Sequence, residues 1–174
     1  MTGERCRNEY MRAFTFLELM AVMLIISILA AAIFPAARRL RQNALRARAS
    51  SEAACLAQAI SAYRLSLGVW PCQTQNAVDT TWTTNAHIMR ALCDNPRKEV
   101  FMETPACSQA GGEFLDPWGR SYLAAMDENA DGVVALQASL SGLMFCTNVR
   151  GSAAVASWGP DPSDPRMRII ASAP

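Results

Sequence analysis

A chain of 174 residues, 51% hydrophobic and 18% charged, has room for one domain with a modest core plus an anchor. Its formal net charge of +1 argues against a broad nucleic-acid surface. Six cysteines without a CxxC pair and a single histidine, His87, argue against zinc and leave no matched acid and nucleophile for catalysis.

Residues 1–13, "MTGERCRNEYMRA", are polar, and Arg12 stands just before a long apolar run. From Leu19 to Ala37 no residue is charged. At 1.5 Å per residue such a helix matches the roughly 30 Å hydrocarbon core, so a transmembrane helix is predicted. A secretory signal peptide with a cut in "SILAAAIFPAA" is the competing reading, although signal apolar regions are usually only about 7–15 residues long. Glu18 sits where the run begins. A carboxylate carried to the bilayer centre costs on the order of 2.5–3.5 kcal/mol, so Glu18 needs a positive partner. The best candidate is a free terminal amine, created by a cut a few residues upstream and supplied by a neighbouring subunit.

Arg38, Arg39, Arg41, Arg46 and Arg48 follow the span, against the orientation that Arg12 alone would set. Lipid phosphates are within their reach, and a solvated face meeting neighbouring acidic heads is the preferred reading. The helical pattern continues to Gly68, with Leu56, Ile60, Tyr63 and Leu67 on one face. Gly68 and Pro71 stop the helix, and Pro35 is expected to bend it.

Beyond Pro71 the chain breaks into short apolar segments: "EVFME", "SYLAAM", "GVVALQ", "GLMFCT", "SAAVASW" and "MRIIAS". These predict short strands forming a small antiparallel sheet on the amphipathic half of the helix, with a short helix at "NAHIMRALCD". Trp70, Trp82 and Trp158 are read as core or rim aromatics. Residues 51–174 carry eight Arg and Lys against twelve Asp and Glu, a net of −4. Without residues 1–13 the chain holds 13 basic and 13 acidic side chains, a neutrality that suits a subunit. The cysteine spacing suits disulfides in an oxidising compartment, with Cys55 the odd one if Cys6 is removed. "DENADG" sets Asp127, Asn129 and Asp131 at alternate positions before Gly132, half of a calcium loop, with Ala138 where an EF-hand would need its glutamate. An ordinary Asp/Asn/Gly turn is the alternative.

"AFTFLELMAVMLIISILAAAIFP", Ala13 to Pro35, resembles the class III signal of type IV pilins and type II secretion pseudopilins: a basic leader, a cut before Phe, Glu fifth after the cut, then an apolar helix. The resemblance implies that a prepilin peptidase cleaves between Ala13 and Phe14 and methylates the Phe14 amine. Glu18 would pair with such an amine during assembly, and Pro35 falls at the family's helix-bending proline. Ala13 stands where the family usually has glycine. "AISAYRLSLGVWP", "DPWGRSY" and the trio Ser157, Gly159 and Asp161 are similar to the major pseudopilin of type II secretion. That likeness implies a calcium ion in the head, with Asp161 and Asp164 joining Asp127, Asn129 and Asp131 as candidate ligands.

The expected fold is α+β and pilin-like, with residues 1–13 a leader, 14–37 the membrane and filament-core helix, 38–70 an amphipathic stalk and 71–174 the head. The function that the resemblance implies is structural, not enzymatic: a single-pass inner-membrane subunit of a type II secretion pseudopilus, N-terminus cytoplasmic and head periplasmic, that self-assembles into a helical periplasmic filament helping to export folded proteins. Its implied partners are prepilin peptidase, an inner-membrane assembly platform and minor pseudopilins. A type IV or DNA-uptake pilin is the nearest alternative and the one in which nucleic acid would be a partner; a membrane-tethered binding protein or periplasmic enzyme is another.

Overall fold

The computed structural model describes residues 15–72, 79–83, 85–95, 97–103 and 112–174. It is an α+β pilin-like architecture: a long N-terminal helix, α1 (Phe16–Leu67), whose C-terminal part packs against small antiparallel sheets. Two compact units divide the chain, residues 1–42 and residues 43–174.

In the first unit every described side chain of α1 is exposed, Phe16, Leu24, Ile28 and Phe34 among them. This segment is long and apolar enough to cross a membrane. The second unit begins with the part of α1 that has a buried face. Ala49, Ala53, Leu56, Ala57, Ile60 and Tyr63 recur at helical spacing and are buried. Gly68 ends the helix at φ +75°, donating its N–H to the Arg64 carbonyl at 2.7 Å, in the left-handed conformation that glycine adopts without steric penalty.

Strands β1 (Thr81–Trp82), β2 (Leu123–Met126), β5 (Ala153–Ser157) and β6 (Ile169–Ala173) form an antiparallel sheet in the order β1-β2-β5-β6. The hairpin of β3 (Val133–Leu140) and β4 (Leu143–Arg150) is a second sheet, and helix α2 (Ala86–Cys93) lies between β1 and β2 in sequence. Ser141 and Gly142, both at positive φ, make the two-residue turn whose twist matches the hairpin.

The core is not the single one that composition suggests; β2 and β5 divide it. Tyr122, Ala124, Met126, Ala153 and Val155 pack with the α1 face and with Ile88, Met89 and Leu92 of α2. Leu123, Ala125, Ala154 and Ala156 alternate to the other face, where they meet Val134, Leu136 and Phe145 of the hairpin and Trp158. Both central strands are buried along their whole length, which is why they read as unbroken apolar runs, "LAAM" and "AAVAS".

One predicted strand is corrected. "EVFME" is not a strand: Phe101 stacks on Tyr63 at 5.3 Å, and the Asn95 side chain bonds both the N–H and the carbonyl of Glu99. A side chain takes the backbone groups that a neighbouring strand would have used. Cys55, Cys72 and Cys146 are free thiols, Cys55 as expected. Burial, and then the nearby Glu128 charge, push the Cys72 thiol up, which disfavours its thiolate. Cys93 is disulfide-bonded, and Cys6 and Cys107 lie outside the described residues.

Asn85, fully buried, fastens the loop that leads into β2. Its Nδ2 donates to the carbonyls of Phe114 (2.8 Å) and Tyr122 (3.3 Å), and its Oδ1 accepts from the Phe114 N–H at 2.7 Å. Asn85→Ala should destabilise the full-length protein in detergent by about 2–3 kcal/mol, because it strands buried backbone groups, as read from chemical denaturation.

Candidate functional site

The first turn of α1 carries the residues on which an assembly role depends. Thr15 caps it: its Oγ1 and its carbonyl both accept from the Glu18 N–H, at 3.3 and 3.1 Å, and the carbonyl also accepts from the Leu19 N–H at 3.2 Å. Thr15, Phe16, Leu17 and Glu18 therefore have the Thr-x-x-Glu spacing of a capping box. This signal was readable in the sequence, and it gives Glu18 a local reason: an acid in the first turn complements the positive end of the helix dipole. The carboxylate is exposed, and among the described residues no basic side chain forms an ion pair with it. Ala13 and Phe14 lie outside the described residues. Pro35 lies within α1, which continues through it to Leu67.

The basic stretch after the span separates into two groups. Arg38, Arg39 and Arg41 are exposed and make no ion pair among the described residues. Arg46 and Arg48 belong to the head unit. Arg48 Nε meets Glu52 Oε1 at 2.7 Å, and the other oxygen of Glu52 accepts from the Tyr122 hydroxyl at 2.8 Å. Burial first, and then that bond to Glu52, push the Tyr122 phenol far above its usual range, so the hydroxyl stays a donor to the helix.

In the head, "DPWG" and the Ser-x-Gly segment meet, though 41 residues separate Asp116 from Ser157. Asp116 is buried; its Oδ1 accepts from the N–H groups of Trp118 (3.0 Å) and Arg120 (2.8 Å), and its Oδ2 from the Ser157 hydroxyl (2.7 Å). Ser157 Oγ in turn accepts from the Gly159 N–H at 3.0 Å, and Arg120 Nη1 donates to the Gly159 carbonyl at 2.7 Å. Gly159 is required twice over, by its φ of +73° and by the Met167 carbonyl oxygen, which a Cβ would approach to 2.0 Å. This network is a structural lock between the loop before β2 and the one after β5.

The calcium candidates divide between two loops. In the first, Asp127 is buried and accepts from the N–H groups of Asp131 (3.2 Å) and Gly132 (2.9 Å). Asn129 Oδ1 accepts from the Asp131 N–H, and Asp131 Oδ1 from the Val133 N–H. In the second, Asp161 accepts from the Ser163 N–H and hydroxyl, which hold its carboxyl below the usual range, and Asp164 caps the short 3-10 turn Pro165–Met167 through the Arg166 N–H. Among the described residues no three His, Cys, Asp or Glu side chains gather as a group that could hold a metal ion. As arranged, the loop side chains accept from backbone N–H groups, and Asp79 from outside the first loop accepts from the Glu128 N–H at 3.2 Å.

Comparison with known proteins bears on the N-terminal segment. The chain carries a prokaryotic N-terminal methylation motif. The match covers residues 10–34, so it takes in Glu18 and the predicted cut, and Pro35 stands one residue beyond it. No curated protein and no solved structure matches the chain. The motif is the prepilin signal of type IV pilin-like subunits, which are structural proteins, and it implies processing by prepilin peptidase and pilus-type assembly.

Addition of Ca²⁺ or a chelator is expected to leave the melting temperature of the full-length protein unchanged. A rise with Ca²⁺ that Asp127→Ala with Asp131→Ala removes would show that the loops rearrange to bind the ion.

Proposed function

We propose that the chain is a structural subunit of a type II secretion pseudopilus. In this reading prepilin peptidase cuts between Ala13 and Phe14 and methylates the new amine. The single observation that carries it is the methylation motif on the exposed apolar half of α1, with Glu18 in the first turn and no basic partner for it among the described residues. A carboxylate carried into an apolar filament core is costly without a positive charge beside it, and the free amine of a processed neighbour supplies one. The segment that lies in the inner membrane before assembly buries against other copies afterwards. Because head-to-tail contacts of this kind do not close, they build a filament.

The secretion reading, rather than a type IV or DNA-uptake pilus, draws its support from the head. Of the residues similar to the major pseudopilin, Asp116, Ser157, Gly159 and the Trp118 N–H form one hydrogen-bonded network, while Asp161 lies in its own turn with Ser163. The pilus reading shares the processing and the filament and differs in the genes that would accompany it: retraction and competence components instead of a secretin.

Peptide mass spectrometry of protein from native membranes should find a chain that begins at methylated Phe14; an intact N-terminus, or a cut near Ala30 to Ala32, would overturn the reading. Glu18→Ala should insert into the membrane normally and lose filament assembly by at least about tenfold, as scored by electron microscopy of sheared filaments, since a lost charge pair of 1.4 kcal/mol already shifts an equilibrium tenfold. Normal filaments from that variant would remove the pairing model.

A further inference from the structure

The three arginines after the span have no assigned role. Arg38, Arg39 and Arg41 are exposed, and among the described residues none is in an ion pair. Between Glu18 and Glu52 the chain has no acidic residue at all, so no acid within helical reach can neutralise them. Arg48, about two turns beyond Arg41, has such a partner in Glu52. The uncharged stretch Leu19–Ala37 is about 28 Å long as a helix, close to the hydrocarbon thickness, so its end falls at the phosphate level of one leaflet. At 100° per residue the three guanidinium groups fan over about 160° of the helix circumference. A single protein neighbour would touch one face of the helix, whereas lipid headgroups surround it.

We infer that Arg38, Arg39 and Arg41 form a binding collar for anionic phospholipid headgroups on the head side of the membrane. The inference rests on the membrane reading of α1 given above. Guanidinium groups form forked hydrogen bonds with phosphate oxygens, and each basic side chain near a surface adds to the attraction for anionic lipid. The collar holds the subunit at a fixed depth before assembly. Extraction into a filament then exchanges lipid phosphates for whatever acidic groups the neighbouring heads present.

The test uses the unassembled full-length protein in vesicles of phosphatidylcholine with a minor fraction of phosphatidylglycerol. Alkaline extraction reports insertion, and native mass spectrometry of the released protein counts the lipids that stay bound. Phosphatidylglycerol should be enriched about fivefold or more over its bulk fraction, the contribution of one basic side chain near the surface. The enrichment should disappear in R38Q/R39Q/R41Q, survive in R38K/R39K/R41K and fall as salt is raised. Both replacement types, Gln and Lys, are good helix formers at exposed positions, so α1 is preserved. A protein retained by the membrane without enrichment overturns the collar alone, and so does a chemical cross-link from these arginines to acidic head residues of another copy in place of lipid. A protein extracted by alkali overturns the membrane reading together with the collar.

Discussion

The first half of α1 presents apolar side chains all round and buries none of them within its own chain. Leaving a Leu, Ile, Val, Met or Phe side chain in water instead of burying it forfeits about 1.5–3 kcal/mol, and more than a dozen such residues are exposed here, so the segment must be covered by something outside the chain. Lipid and other copies of the same segment are the two covers of matching chemistry. A helix with no polar face accepts either with little difference in hydrophobic free energy, because lipid tails are as apolar as leucine. What decides between them is therefore polar: the few charges at the two ends of the segment.

Those charges are arranged in an unusual order. Glu18 stands at one end, in a turn already capped by Thr15, and Arg38, Arg39 and Arg41 at the other, none of them in an ion pair among the described residues. Within the head the charges are mostly spent. Arg48, Glu52 and Tyr122 join the helix to the sheet, and Asp116, Ser157 and Arg120 lock the loop before β2 to the one after β5. The head is thus held by buried polar contacts with named partners, and the charges flanking the apolar segment make no ion pair among the described residues. That division separates what stabilises one subunit from what lets subunits associate.

Much of this was legible in the sequence, for identifiable reasons. The apolar run, the Glu18 placement and the Gly68 stop are local patterns, and strands β2 to β6 are each bounded by turn residues. The hairpin reads well because Ser141 and Gly142 sit between two alternating segments. The misread "EVFME" shows the limit: its apolar residues resemble a strand, but an asparagine four residues upstream takes both backbone groups of Glu99 and Phe101 turns to Tyr63. Strand β1, two residues long, carries no periodicity to read. Asn85 and Asp116 look like ordinary loop residues, since nothing local reveals that their partners lie 29 to 41 residues away.

The calcium loops illustrate the same limit from the other side. Alternating Asp, Asn and Asp before a glycine describes both a half-built ion site and a turn that bonds its own backbone, because each needs short oxygen-bearing side chains aimed at the loop centre. Sequence spacing cannot separate the two; the count of converging acids can. Here Asp127, Asn129 and Asp131 of the first loop each accept from a backbone N–H, and the second loop uses Asp161 and Asp164 in the same way. An ion would have to displace bonds that already order these turns. Stability of the head then depends on the buried polar locks and the two-sided sheet, and the chain's dependence on other molecules is concentrated in the segment from Thr15 to Arg41.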